Sequence, residues 1–393
     1  MLPSYVVYLM ALAALVRRLR QSARDTGPRP VRKIVLFKPD VDPDRVRSIV
    51  EECGGKLKKQ LPIVNGAACV FPEEATAMGL LSRAGEVAWV EDDLVISINS
   101  ACFFVPRPRP RPRQQIVPWG IAKVRAPEAW AHASGRGVRV AVLDTGIDMN
   151  HPDLKANIDG GFDCINETTN VIDDNGHGTH VAGIIAACNN DLGVVGVAPE
   201  ARLYAVKAFD SKGQGQVSDI VQGVEWCIAN RVHIINMSFG TIDSSKALAM
   251  AIQKAAQTGI IMVAAAGNDG RRDNVLYPAR DPNVIAVAAS TRDDRIAAFS
   301  NSGEQVAMAA PGEDIYSTYR EGGYKSLTGT SMACPHVTGA AALLLSISPG
   351  LARDGVREVL CRTATKLPGF SPDQQGSGVV NAGAAVTRVR LSA

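Results

Sequence analysis

The run Gly329-Thr330-Ser331-Met332-Ala333-Cys334-Pro335-His336-Val337 places a serine just ahead of an apolar helical stretch, Gly339 to Ile347. A helix start presents unpaired backbone N–H groups and the positive end of the dipole. A nucleophilic hydroxyl and an incoming carbonyl oxygen both gain from that setting. Serine is also a preferred helix cap, so an isolated Gly-Thr-Ser predicts a cap before it predicts a nucleophile. A catalytic reading needs a base, an orienting acid and an oxyanion donor elsewhere in the chain.

Three segments could supply them. Val138 to Gly146 is a β-branched run ending at Asp144 before a glycine turn, which predicts a buried strand with a carboxylate at its end. In an open α/β sheet, active sites gather at the carboxyl ends of strands. In Asn175-Gly176-His177-Gly178-Thr179-His180, glycines flank His177 at a helix start, so the imidazole can meet another side chain as general base. Metal binding by His177 and His180 is the rival reading, but it needs at least a third ligand at suitable spacing. In Val263-Ala264-Ala265-Ala266-Gly267-Asn268, a strand of small residues ends at an amide that can donate to a developing oxyanion. Alone, Gly-Asn predicts only a turn.

Together these segments resemble the subtilisin-like serine protease family. The chain order Asp, His, Ser is that family's order and differs from the chymotrypsin and α/β-hydrolase orders. The motifs Asp-Thr-Gly, His-Gly-Thr-His and Gly-Thr-Ser-Met-Ala-x-Pro-His all stand here, and the likeness runs from about Gln114 to the C-terminus. The resemblance implies that Asp144 orients, His177 is the base, Ser331 attacks and Asn268 helps hold the oxyanion. It implies a serine endopeptidase working through an acyl-enzyme, on a doubly wound, mostly parallel α/β sheet. A catalytically inactive peptide-binding protein on the same fold and a metal-dependent amidase are the alternatives. The presence of Asp144, His177, Asn268 and Ser331 together weighs against both.

The elements that must position this chemistry fit a chain of 393 residues with 46% hydrophobic residues, enough for a sizeable core and more than one domain. Charge divides unevenly. Residues up to Arg113 carry a balance of +6 and the rest −3, within a net +3. Basic patches interleaved with aromatics are missing from the sequence, which predicts no nucleic-acid partner. Val105 to Arg113 alternates proline and arginine. Such a run favours extended polyproline II and predicts an exposed connector.

Upstream, Lys33–Phe37, Leu57–Ile63, Ala67–Phe71 and Val87–Val90 read as strands. Asp44–Cys53 carries a helical stripe of Val46, Ile49, Val50 and Cys53, and a second helix opens at Pro72-Glu73-Glu74 with Ala75, Met78 and Leu81 inward. The order β-α-β-β-α-β predicts a small ferredoxin-like domain. It also resembles the inhibitory propeptide of subtilisins, which implies that it assists folding and then plugs the active site, with Ile96–Asn99 in the cleft. The expected organisation is an apolar and basic segment over 1–30, a propeptide domain over 31–99, a connector over 100–113 and a peptidase domain over 114–393. The cut that separates them is expected between Asn99 and Gln115.

By the same resemblance, Ser238-Phe239-Gly240 forms one backbone edge for an extended peptide and Gly213 and Gly215 mark the second. Ala264, Ala265, Ala266 and Gly267 wall the pocket for the residue before the cleaved bond. Small walls suit a large apolar side chain, so broad cleavage of polypeptides with an apolar preference is expected. Gln115, Asp153 and Asn190 match side-chain ligands of the family's tight calcium site. Cys188, Leu192 and Val194 would add backbone carbonyls to this structural calcium. Oxygen-rich positions suit that hard cation. Of the eight cysteines, five fall in the peptidase region with no Cys-x-x-Cys, so packing roles are expected. A monomer is expected. Export follows from the resemblance, but Met1 to Val16 is apolar without a leading positive charge and Arg17-Arg18-Leu19-Arg20 follows it. That is the reverse of a usual export signal, so an intracellular or membrane-associated location stays open.

Overall fold

A computed structural model describes residues 30–80, 85–98 and 114–392. The expected N-terminal apolar segment, Leu81, Asn99 and the connector lie outside the described residues. Contacts divide the chain into two units, Met1–Asp93 and Leu94–Ala393.

In the first unit, β1 (Val31–Phe37), α1 (Pro43–Glu52), β2 (Lys56–Leu61), β3 (Gly66–Phe71), α2 (Glu74–Met78) and β4 (Val87–Asp92) follow one another. The strands form one sheet in the order β2-β3-β1-β4, antiparallel between neighbours. Helix α1 starts where it does because the Asp42 side chain accepts from Arg45 N, with Pro43 in the first turn. Its buried stripe is Val46, Ile49 and Val50. Strand β2 stops at Leu61, earlier than the apolar run predicts. Pro62 has no N–H for the ladder, and the chain turns through a short 3-10 segment, Pro62–Val64, to left-handed Asn65. Ala77 and Leu80 join the core of this unit.

The second unit begins with β5 (Val95–Ser97), α3 (Trp119–Lys123), α4 (Ala126–Ala129), β6 (Arg139–Asp144), β7 (Ile158–Asp163), α5 (His177–Ala186), β8 (Arg202–Lys207) and β9 (Gln214–Gln216). It continues with α6 (Val217–Ala229), β10 (Ile234–Met237), α7 (Lys246–Gln257), β11 (Ile261–Ala265), β12 (Val284–Ser290), β13 (Val306–Pro311) and the hairpin β14 (Ile315–Tyr319)–β15 (Gly323–Leu327). Helices α8 (Thr330–Ile347), α9 (Arg353–Thr363), α10 (Pro372–Gln375) and α11 (Ala382–Ser392) complete it.

Seven strands form one sheet in the order β13-β12-β11-β10-β6-β8-β7, with every neighbouring pair parallel. Strands buried on both faces read as continuous apolar runs, and β6, β10, β11 and β12 do so. From β6 the chain goes first to the edge strand β7 and then fills the gap beside β6 with β8. It then returns to the other side of β6 to lay down β10 through β13. The switch point is the β6–β10 pair, and ligands in open α/β sheets bind beyond the carboxyl ends of strands at such a point. Helix α8 is long and apolar enough to cross a membrane. Here Thr330 through Leu345 are buried and much of the helix belongs to the main core, which is why it is apolar on all sides.

Candidate active site

Asp144 is the last residue of β6 and is fully buried. His177 is the first residue of α5. Its Nδ1 donates to both carboxylate oxygens of Asp144, at 2.8 and 2.9 Å. A carboxylate partner puts the ring proton on Nδ1 and leaves Nε2 as the basic nitrogen. That Nε2 is buried and has no hydrogen-bond partner, an expensive arrangement unless a reacting group comes to it.

Ser331 comes from the other side of the switch point. Asn236 of β10 pairs with Val142 of β6, and continuing that register sets Ser238 level with Asp144 on the neighbouring strand. Ser238 and Ser331 hold each other by two bonds. The Ser331 hydroxyl donates to Ser238 O and the Ser238 hydroxyl donates to Ser331 O, both at 2.9 Å. The second bond has a cause in the sequence. Pro335, inside α8, lacks the N–H that would close a helical bond to the carbonyl four residues back. That carbonyl belongs to Ser331, and Ser238 satisfies it. Asn236 extends the network: its Nδ2 donates to Ser238 Oγ at 2.8 Å. Its Oδ1 accepts from Thr338 Oγ1 at 2.9 Å and from Cys334 Sγ at 3.3 Å. Burial lifts the Cys334 thiol to about 12, so it stays protonated and donates.

Asn268 follows β11. Its Oδ1 accepts from Thr330 N and Thr330 Oγ1, both at 2.8 Å. This fixes the amide with its carbonyl toward the start of α8 and its NH2 as the remaining face, beside Gly329.

Asp173 is a positioning residue that the motifs did not single out. One oxygen accepts from Thr145 Oγ1 at 2.8 Å, Asn175 N at 3.0 Å and Gly176 N at 2.7 Å. The other accepts from Thr179 N at 2.9 Å and Thr179 Oγ1 at 2.6 Å. It joins the loop after Asp144 to the first turn carrying His177, and a negative charge suits that helix end. Lys207, also buried, donates to Thr145 O at 2.7 Å and to Asp174 at 2.8 Å. An Asp four residues before a catalytic-type His was the available signal, but Asp173-Asp174 reads equally as a solvated turn.

The rival metal pairing is not built. His180 Nε2 faces the carbonyls of Ile315 and Lys325 at 2.9 and 3.0 Å. Burial, then the nearby His177, pushes its pKa down to about 3. Among the described residues no group of three or more His, Cys, Asp or Glu is arranged to hold a metal.

The segments expected as peptide edges lie on β9 and just after β10. Gly215 lies on β9, which pairs antiparallel with β5: Ile96 stands opposite Gly215 and Ser97 opposite Gln214. Ile98 N donates to Gly213 O at 2.8 Å and Val217 N to Leu94 O at 2.9 Å. Segment 94–98 thus lies on β9 as an added strand, with Ile96 buried. Ser238, Phe239 and Gly240 follow β10, and Ala264, Ala265, Ala266 and Gly267 close β11; all are buried.

The expected ligand positions also converge. Gln115 Nε2 lies 2.8 Å from Cys188 O, 3.1 Å from Leu192 O and 3.3 Å from both Asn190 Oδ1 and Val194 O. Four oxygens therefore surround one point. Amide N and O are interchangeable by a flip, and the flipped Gln115 would add a fifth. Asp153 stands beside them, its Oδ2 accepting from Val194 N at 2.8 Å and Tyr324 OH at 2.9 Å. Gly193 is required in this loop: its φ is +54°, and an added Cβ would fall 2.1 Å from Asp153 Oδ2. The donor set is all oxygen with one carboxylate, which suits a hard cation. No disulfide links the described cysteines.

A buried acid–imidazole pair, a serine at a helix start and an amide donor, gathered at the switch point of a parallel sheet, define a serine hydrolase of the doubly wound class. The model of the subtilase family matches residues 135–378, and the chain belongs to that family. It is 43% identical to subtilisin E of Bacillus subtilis (strain 168) over 344 residues, covering 86% of this chain and 85% of that protein. It is 48% identical over 272 residues to a thermostable alkaline protease of Halalkalibacterium halodurans, covering 69% and 74%. Identity to subtilisin Savinase of Lederbergia lenta is also 48% over 272 residues, covering 69% of this chain and 99% of that protein. The chain is a subtilisin-like serine endopeptidase.

Proposed function

We propose that Ser331 is the nucleophile, His177 the general base, Asp144 the orienting acid and Asn268 an oxyanion donor in the hydrolysis of polypeptides. The observation that carries this is the buried His177 ring, held through Nδ1 by Asp144 with its Nε2 unpartnered. The Ser331 hydroxyl rests on Ser238 O and turns to His177 Nε2 for attack. Oγ bonds to the scissile carbonyl carbon while its proton passes to Nε2. The carbonyl oxygen becomes an oxyanion facing Asn268 Nδ2 and the N–H groups at the start of α8. His177 then gives the proton to the departing amine, leaving the acyl-enzyme, and water repeats the sequence to release the acid. Specificity is broad with an apolar preference. Profiling with a peptide library tests this; strict preference for one residue would contradict it.

The chain acts as a self-processing zymogen, with residues 31–99 as its intramolecular inhibitor and the cut between Asn99 and Gln115. Support comes from the addition of β5 to β9 at a substrate edge. N-terminal sequencing of wild type and Ser331→Ala tests it, because the variant should remain uncut in isolation.

Gln115, Asp153, Cys188, Asn190, Leu192 and Val194 bind structural calcium. The ion supplies charge that fastens the segment at Gln115 to the 188–194 loop. An extracellular location, where calcium is abundant, would keep this site filled. The protein works as a monomer.

A further inference from the structure

His177 and Ser331 come from opposite sides of the switch point and share no hydrogen bond. Ser331 Oγ rests on Ser238 O, and His177 Nε2 is unpartnered. Their separation must be set by something else. Helix α8 crosses α5 where Gly339 faces Ile185, whose carbonyl oxygen an added Cβ would meet at 3.4 Å. That crossing lies about two turns past both groups. Close to the groups themselves, the hairpin β14–β15 is the link.

Four bonds fasten the hairpin to the helix that carries His177. Thr318 Oγ1 donates to Thr179 O at 2.7 Å and Ser317 Oγ to His180 O at 2.9 Å. His180 Nε2 returns a bond to each strand, to Ile315 O at 2.9 Å and to Lys325 O at 3.0 Å. Gly183 makes this approach possible, since a Cβ there would run into both hairpin hydroxyls. Thr318 and Ser317 are buried. Just ahead of His177, Tyr319 OH donates to Asn175 O at 3.0 Å, and its ring fills the space a side chain at Gly176 would need. The open end of the hairpin runs into the serine with no slack. Thr328 Oγ1 accepts from Asp314 N at 3.0 Å, and Gly329 N donates to Gly312 O at 2.8 Å. Helix α8 begins at the next residue.

We propose that this hairpin sets the distance between base and nucleophile, with Thr318 and Tyr319 as positioning residues. The inference rests on the endopeptidase reading and deepens it. Asp173 ties His177 to the Asp144 side of the site, and Thr318 ties it to the Ser331 side. The Thr318 bond is the sensitive one. A carbon atom approaches a carbonyl oxygen no closer than about 3.3–3.6 Å. A methyl in place of this hydroxyl therefore drives hairpin and helix apart by about 0.6–0.9 Å. A 1 Å misplacement of reacting groups can cost about 10^2-fold in rate.

The test compares wild type, Thr318→Val, Thr318→Ser and Tyr319→Phe on one peptide substrate. Each kcat is normalised by titration with a small serine-directed organophosphorus reagent. Thr318→Val should lower kcat by about tenfold to a hundredfold. Thr318→Ser keeps the hydroxyl and should stay within about twofold of wild type. Tyr319→Phe loses one bond while its ring stays, and should lower kcat by about threefold to tenfold. The acid limb of kcat/KM against pH reports the base in the free enzyme. It should not move in any variant, because Asp144, Asp173 and His177 shift as one body. A purely structural role would lower the melting temperature and leave kcat per titrated site at the wild-type value. That result overturns the inference, as does a displaced acid limb or a Thr318→Ser as slow as Thr318→Val. Tyr319→Phe carries the test should Thr318→Val fail to fold. Failure of wild type to take up the reagent overturns the endopeptidase reading, and the inference with it.

Discussion

The cluster at the switch point and the oxygen cage at Gln115 are built in opposite ways. The first depends on side-chain chemistry: a carboxylate, an imidazole, a hydroxyl and an amide, each placed at the end of a strand or the start of a helix. The second depends on backbone path. Three of its donors are carbonyls of Cys188, Leu192 and Val194, whose side chains are irrelevant to the cage. The first cluster should therefore fail through chemistry when a side chain changes and leave the fold intact. The cage should fail through stability and leave the chemistry intact.

The largest effects should fall on the first cluster. Ser331→Ala or His177→Ala should lower kcat by about 10^6, the loss known from subtilisin itself for the same groups. Asn268→Ala should lower it by about 10^2–10^3, again a value known from subtilisin. Far-UV circular dichroism should be unchanged in all three; a collapsed spectrum would break the comparison by making these residues structural.

Next comes the cage. A chelator, or Asp153→Ala, should lower the melting temperature of a Ser331→Ala background, in which self-digestion is absent. Saturating an ion site at a hundred times its dissociation constant contributes about 2.7 kcal/mol, and this is what the chelator should remove. Turnover per titrated active site at 25 °C should survive brief chelation. A melting temperature indifferent to calcium would contradict the assignment.

Ser238→Ala should blur the division. It leaves the Ser331 carbonyl, already without a helical partner because of Pro335, buried and unsatisfied. That costs about 1–3 kcal/mol and should lower kcat as well, because the same bond holds Ser331. Thermal unfolding and kcat measured on one preparation would show both; a change in only one would separate fold from chemistry here.

The smallest expected effect is a pH slope. Burial holds His180 down to about 3 and His336 to about 4, below the ordinary value of about 6.5. As pH falls through about 6.5 the unfolded chain gains protons that the folded chain refuses. This stability is therefore whole above that pH and is lost progressively toward pH 4, at about 1.4 kcal/mol per pH unit for each proton. Melting temperatures between pH 7 and 5 should fall with decreasing pH, and His336→Asn should make the slope shallower.

The same contrast explains what could be read from the residues alone. Asp144, His177, Asn268 and Ser331 stand in motifs, and strand and helix periodicity put each at an element boundary, where the structure has them. The β-branched and alanine runs marked individual strands, and the parallel sheet was what the family resemblance implied. Asp173 was invisible because an Asp-Asp before Asn-Gly looks like any solvated turn; only the fold turns its oxygens onto five donors. Pro335 inside α8 looks like a fault in the helix until Ser238 is seen bonding the carbonyl it frees. Strand β2 ended early for a reason that was local: a proline at 62.

The central claim is that Ser331 is the nucleophile of this site, activated by His177. Mass spectrometry after reaction with a serine-directed organophosphorus reagent tests it most directly. The account predicts one adduct per processed chain, mapped to Ser331, slowed severely in His177→Ala and lost in Ser331→Ala. An adduct on any other residue, or labelling that persists in Ser331→Ala, would contradict it.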